Sequence, residues 1–374
     1  MERADMEKPM PVLPTRVRRT YMGGSMIDAW RGEEIQPDGN MPEEWLASTT
    51  LAINPGFAPI EDEGHSRVEL GDSKPILRDI LDVAPEAMLG RKHAEKYGSA
   101  LGMLAKMIDA GERLSIQVHP DKAFVQKHFH SPFGKTECWH IIETRCVNGN
   151  KPYLLIGFRP GVTKEYWSRL YETQDIAAMM SCLHKIEPKP GETYFIPGGL
   201  PHAIGPGCFL LEIQEPTDYT MRCERTTQDG RNIPDRLVHQ MLGDELLMEC
   251  FRYEGLEEEL FLKQCRLSPV VTHQSDVGRN LLLVGEQITK CFSMMLASCI
   301  VELSFRPTAP SVLVVLRGNG ALVHDGRFYA LRQGDHIFLP IGVREFSLVN
   351  KNAIGSLECM RCFPPEAQPD SPIL

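Results

Sequence analysis

Short apolar runs broken by Gly, Asn and Asp turns set the rhythm of this chain and predict a mainly β protein interrupted by helices. Strands are expected at residues 49–53, 114–119 and 137–143. From about residue 270 the pattern is all-β, with strands at 299–305, 312–316, 321–324, 337–339 and 346–349. Three stretches carry apolar residues at helical spacing instead. The first, 82–110, holds Met88, Leu89, Leu101, Leu104, Met107 and Ile108. The second, 163–184, sets Thr163 and Asp175 at N-cap positions ahead of Trp167, Leu170, Ile176, Met179, Met180 and Leu183. The third, 235–251, aligns Leu237, Val238, Met241, Leu242, Leu246 and Leu247. Residues 1–19 read as a flexible lead, and a boundary within 265–280 divides the rest into a first unit, 20–270, and a second, 271–374.

Length agrees with that division, since 374 residues exceed one ordinary hydrophobic core. A net charge of -10 with no Lys/Arg run argues against a nucleic-acid or anionic-membrane partner. An anionic ligand must therefore be held by a few placed cations. No stretch approaches the roughly 18 to 20 apolar residues of a membrane span, and the N-terminus has no apolar signal-peptide region. Eleven cysteines, mostly scattered singly, fit thiols in a reducing cytoplasm. Cys359 and Cys362 form a lone C-x-x-C with no second pair to complete a zinc site.

Two segments share a hidden layout. Residues 191–202 read G-x5-P-x-G-x2-H, ending on His202, and residues 334–345 read G-x5-P-x-G-x2-E, ending on Glu345. This is the layout of the second motif of a cupin, a jelly-roll barrel whose strand carries a ligand inward. Its partner motif, G-x5-H-x-H, fits residues 111–119 with Gln117 in the first ligand place and His119 in the second. Period-two geometry puts Gln117 and His119 on one face of a strand. Glu137, opening the next strand, then completes a set of two imidazoles, a carboxylate and an amide with His202. Such a set suits Zn²⁺, while its two His and one carboxylate also match an Fe(II) facial triad. The fold expected is thus two cupin barrels with helical insertions, the first metal-binding and the second degenerate. His128-Phe-His130 is a decoy, because Phe124, Val125 and His128 suggest a short helix.

The runs Leu-Ser-Ile-Gln117-Val-His119-Pro-Asp and Gly134-Lys135-Thr-Glu137-Cys-Trp139 resemble type I phosphomannose isomerases. The likeness extends from Pro42-Glu-Glu-Trp45 to Arg222 and weakens in the second unit. It implies one Zn²⁺ per chain on Gln117, His119, Glu137 and His202. It also implies catalytic roles for Arg222, in the run Thr217-Asp218-Tyr-Thr-Met-Arg222, and for Lys135. Lys106 and Asp218 would bind substrate, and Asp218, Glu212 and Lys135 remain open as the proton shuttle. The implied activity is interconversion of mannose 6-phosphate and fructose 6-phosphate through a cis-enediol, in a cytoplasmic monomer or homodimer. Cys223-Glu-Arg-Thr-Thr departs from the family's usual tail, so an isomerase of another sugar stays open, as do a non-catalytic sugar-phosphate-binding cupin and a metal-dependent oxygenase. Residues around 235–263 and the N-terminal lead are extra relative to compact relatives.

Overall fold

The computed structural model describes residues 6–54 and 56–373. Their strands form four open sheets that stack face to face, in an order set by which side chains each face contributes to the cores. The outermost sheet of the first half has five strands: Met221–Arg222, Gln117–Val118, His202–Ile204, Leu154–Phe158 and Leu183–Ile186. It faces a seven-stranded sheet in the order Arg266–Leu267, Thr193–Ile196, Glu137–Thr144, Cys208–Gln214, Leu104–Asp109, Glu43–Leu46 and Arg16–Val17. Between them Ile108, Trp139, Ile141, Ile156, Tyr194, Ile204 and Leu210 make one core.

The far side of that seven-stranded sheet rests on a second seven-stranded sheet, ordered Met10–Pro11, His336–Leu339, Ser311–Arg317, Leu357–Phe363, Ser293–Cys299, Gly278–Val284 and Val270–Ser275. Alternation supplies both faces. Along Cys208–Gln214, Phe209, Leu211 and Ile213 meet Val312, Val314, Phe338 and Met360 of the second sheet, while Leu210 points the other way. Four strands, Glu302–Phe305, Phe346–Asn350, Asn319–His324 and Arg327–Arg332, close the stack over Phe305, Leu313, Val315, Phe346 and Leu348. Helices cover the opposite end, where Trp167, Leu170, Met179, Leu237 and Leu247 pack on Ile116, Val118 and Met221.

Several expectations need correction. The lead of 1–19 is not loose where it is described: Met10 is fully buried and pairs with Phe338, and Val17 pairs with Glu43. Residues 1–5 lie outside the described residues. Helices Leu77–Val83, Pro85–Leu89 and Arg91–Tyr97 stand in the first helical stretch, but Leu104–Asp109 is a strand. Its Ala105 and Met107 face one core and Ile108 the other, a period-two signal that a helical count absorbed. Residues 49–53 are not a strand; that role falls to Glu43–Leu46.

The second helical stretch is two helices, Lys164–Thr173 and Ile176–Ser181, capped by Thr163 and Asp175 through bonds of 3.2 and 3.0 Å from Tyr166 N and Ala178 N. Leu183 already belongs to a strand. The third divides into Asp235–Val238 and Asp244–Glu249. Helices Ser25–Arg31 and Glu258–Cys265 gave no sequence signal strong enough to place them. Cys359 and Cys362 point to opposite faces of their strand, which separates the lone C-x-x-C.

Where the two large sheets meet, Glu44 is sealed with its Oε2 unpartnered, its Oε1 2.9 Å from Arg31 Nη1 and 4.0 Å from His336 Nδ1. Burial raises the Glu44 pKa to about 7 against the pull of Arg31, and lowers that of His336 to about 3. A carboxyl raised on folding binds more protons folded than unfolded, so its contribution to stability falls as pH rises from about 4.5 to about 7, then levels off. The size is on the order of 3 kcal/mol, from about 1.4 kcal/mol per pKa unit. We expect Glu44→Gln to flatten that part of the pH–stability curve in denaturant titrations. A curve with the wild-type slope refutes the assignment.

Candidate active site

The cleft opens between the two sheets of the first half, a space of about 780 Å³ including its mouth. Strand register builds it. Gln117 stands opposite His202 on one side and Arg222 on the other, so the outer sheet delivers all three to one end. From the facing sheet, Trp45, Lys106, Glu212 and Trp139 form one cross-strand row, with Glu137 two residues before Trp139. The same alternation that sends Phe209, Leu211 and Ile213 to the large core therefore turns Glu212 into the cleft.

His119, Glu137 and His202 bring their ligand atoms within 4.8 Å of one another, all buried. His119 Nδ1 lies 3.1 Å from Tyr219 O and His202 Nδ1 2.9 Å from Leu200 O. A carbonyl only accepts, so each Nδ1 carries its proton and each Nε2 presents a lone pair. Those two Nε2 atoms face each other at 3.1 Å, and Glu137 Oε1 is 2.9 Å from His119 Nε2. Burial pushes both histidines below the usual imidazole range, so they stay neutral. Burial opposes ionisation of Glu137, but the Lys135 ammonium 2.7 Å from its Oε1 helps to hold the carboxyl well below its usual range. Converging acceptors repel one another unless a cation lies among them; the Lys135 ammonium reaches His119 Nε2 and Glu137 Oε1, and the donor set also fits a divalent metal. The Gln117 amide presents Nε2 to His202 at 3.3 Å; a half-turn of its terminal torsion exchanges nitrogen for oxygen.

Around this centre the charges are paired. Lys135 Nζ donates to His119 Nε2 at 2.8 Å and Glu137 Oε1 at 2.7 Å. Lys106 Nζ lies 3.0 Å from Glu212 Oε1 and 3.8 Å from Glu43. Glu212 Oε1 has no directed hydrogen bond, so the Lys106 contact is an ion pair of poor angle. One indole N–H, Trp139 Nε1, serves both Glu137 Oε2 at 3.0 Å and Glu212 Oε2 at 2.9 Å. Burial and the Glu137 charge raise the Glu212 pKa to about 7, which suits it to hold or release a proton near neutrality. Burial lowers the Arg222 pKa to about 10, and its Nη1 donates to Leu237 O at 2.7 Å.

The structure thus gathers Lys106, Gln117, Lys135, Glu137, Glu212, Asp218 and Arg222 around one cleft, with His119 and His202 at its floor beside Glu137. His128 and His130 are not in that cluster, His128 ending the helix Lys122–His128. Glu345 is exposed and paired with Arg306 at 3.1 Å. Residues 223–225 turn away, Cys223 entering the helical core, Glu224 pairing with Arg113 and Arg225 with Asp244, before Thr227 and Gln228 return to the cleft. Sequence reasoning missed Arg19, Tyr21 and Glu43 as cleft residues. Glu43 falls within the Pro42-Glu-Glu-Trp45 run, whereas Arg19 ends the N-terminal segment, where no motif marks it.

Fold and site define a β-sheet protein with a mixed nitrogen and oxygen cluster able to hold a metal ion, in a charged cleft. A family model described as phosphomannose isomerase type I, catalytic domain, matches residues 61–135, which include Gln117, His119 and Lys135. A probable mannose-6-phosphate isomerase, GmuF, of Bacillus subtilis is 29% identical over 92% of this chain and 96% of its own. Another from that organism, mannose-6-phosphate isomerase ManA, is 28% identical over 70% of this chain and 77% of its own. Among solved structures, the mannose 6-phosphate isomerase of Bacillus subtilis superposes with a TM-score of 0.71 at 21% identity, covering 95% of this chain and 99% of that one. A zinc-bound mannose 6-phosphate isomerase superposes with a TM-score of 0.71 at 17% identity, covering 96% and 99%. The chain is thus similar to mannose-6-phosphate isomerases over most of its length, and to the type I catalytic domain over residues 61–135. No helix among the described residues is long and apolar enough to cross a membrane.

Proposed function

We propose that this chain is a zinc-dependent aldose–ketose isomerase interconverting mannose 6-phosphate and fructose 6-phosphate through a cis-enediol. The observation that carries the reading is the convergence of His119, Glu137 and His202 within 4.8 Å, in the cleft that Arg222 and Lys135 line. Gln117, His119, Glu137 and His202 would hold one Zn²⁺ per chain, whose positive charge polarises the substrate oxygens. Arg222 presents guanidinium N–H groups to the negative charge that develops as the proton leaves C2. Lys135 balances Glu137 and keeps that carboxylate ionised. Glu212 takes or returns a proton, with Asp218 and Lys135 as the other groups able to do so. Lys106 orders Glu212 and, with Asp218, orients the sugar hydroxyls. Exclusion of water behind Lys106, Glu137 and Glu212 falls to the Trp45 and Trp139 side chains, both fully buried against them.

In this reading each sheet pair is a cupin-type barrel, the first catalytic over 20–270 and the second, 271–374, without a metal site, in a cytoplasmic protein. Thr227 and Gln228 at the mouth favour keeping a second reading, an isomerase of a related sugar, because the family's usual tail is replaced there. A coupled isomerase assay separates them by comparing mannose 6-phosphate, free mannose and other sugar phosphates before and after chelation. We expect turnover of mannose 6-phosphate that chelation abolishes. Turnover of another sugar alone selects the second reading, and metal-free protein with full activity refutes both.

A further inference from the structure

Among the described residues five cations line the cleft: Arg19, Lys106, Arg113, Lys135 and Arg222. Four are engaged by carboxylates, Lys106 by Glu212, Arg113 by Glu224, Lys135 by Glu137, and Arg19 by Glu43 and Asp218. Among the described residues Arg222 has no ion pair at all. Yet Asp218 lies four residues before it, and of all the cleft carboxylates its charge acts most strongly on Arg222. Opposite charges in a buried cleft pair readily unless something holds them apart.

Arg19 is built to do that. Its Nη1 and Nη2 reach the two oxygens of Asp218 at 3.1 and 3.2 Å, the two-pronged geometry that fixes a carboxylate in orientation as well as position. Ile53 N also donates to Asp218 Oδ2 at 3.1 Å. Arg19 is itself immobilised, with Nε 3.0 Å from Glu43, Nη1 3.1 Å from Asn54 Oδ1, and its guanidinium 5.0 Å from the Trp45 ring centre. Upstream, Met10 is anchored to Phe338, so the segment carrying Arg19 is tethered at both ends.

We propose that Arg19 is a positioning residue that holds Asp218 away from Arg222 and so keeps the Arg222 guanidinium free to receive the oxygens of an anionic sugar substrate. The proposal rests on the role given to Arg222 above. Without Arg19, Asp218 closes on Arg222 and occupies the donors that the substrate needs.

The test is a double-mutant cycle of Arg19→Met and Asp218→Asn in the full chain, with Arg19→Lys alongside. Two quantities are followed: kcat and KM for mannose 6-phosphate, and the rate at which phenylglyoxal labels Arg222, read by peptide mass spectrometry. Arg19→Met is expected to slow Arg222 labelling and lower kcat/KM, each by about tenfold, within the range of coupling between members of one ion-pair network. In the Asp218→Asn background the same change should alter labelling by less than about twofold, because no carboxylate remains to close on Arg222. Arg19→Lys, which keeps the charge but not the two-pronged contact, should fall between and covers the case in which Arg19→Met fails to fold. Labelling that is unchanged or faster, or an equal effect in both backgrounds, overturns the proposal. Faster labelling with a lower unfolding midpoint is the mark of a merely structural residue. If wild-type protein does not isomerise mannose 6-phosphate, the functional reading fails while labelling still decides the role of Arg19.

Discussion

We expect the Arg222→Ala variant to keep its metal and lose turnover by about a hundredfold or more, the loss typical of removing a preorganised charge-stabilising donor. The site makes this separation possible. Arg222 comes from the outer sheet opposite Gln117, but it bonds to Leu237 O and pairs with no carboxylate among the described residues. Its removal leaves no buried anion stranded beside the His119, Glu137 and His202 cluster. Metal content should therefore match wild type while kcat falls, and Arg222→Lys should recover part of the loss by restoring charge without the planar fork. Unchanged kcat in the alanine variant would remove Arg222 from the chemistry.

Loss of a histidine from the cluster should be more severe. His202→Ala takes away one of the two Nε2 atoms that face each other at 3.1 Å, together with the carbonyl contact to Leu200 that orients it. We expect the variant to be isolated without metal and with no isomerase activity above background. A metal that binds only the folded chain also stabilises it, by about 4 kcal/mol at a free concentration a thousand times its dissociation constant. Chelation should then lower the unfolding midpoint of the wild type but not of His202→Ala, whose midpoint starts low. A wild-type protein whose midpoint and activity both ignore chelation would sink the metal assignment.

The residues that meet at the cluster were legible because fixed spacings oblige them to meet. Gln117 and His119 share a strand face by period two, and His202 follows a Pro/Gly turn whose layout repeats at Glu345. The charged row of Lys106, Glu212 and Trp139 was less legible, since it depends on register between strands far apart in sequence. Leu104–Asp109 shows why: both of its faces are buried and it is only a few residues long, so its Leu104, Met107 and Ile108 match helical spacing as well as they match a strand. Arg19 was invisible for a related reason. Its partners, Glu43, Asn54 and Asp218, are scattered along the chain, and no local pattern joins them. In the second half strands such as Ser311–Arg317 and His336–Leu339 were legible because turn residues bound them, whereas Gly278–Val284, Arg327–Arg332 and Leu357–Phe363 were not, and the expected 299–305 straddles the break between Ser293–Cys299 and Glu302–Phe305.

The strand Met10–Pro11 belongs to a sheet made otherwise of residues beyond 269, while Arg16–Val17, a few residues on, joins the sheet that carries Glu137. The start of the polypeptide thus stitches the halves together across their shared apolar seam. Severing the backbone between Leu267 and Val270 would not release two self-sufficient pieces. The N-terminal fragment would expose Phe209, Leu211 and Ile213 to water, and the C-terminal one would lose its edge strand, so each would be sticky alone and competent only on reassociation with the other.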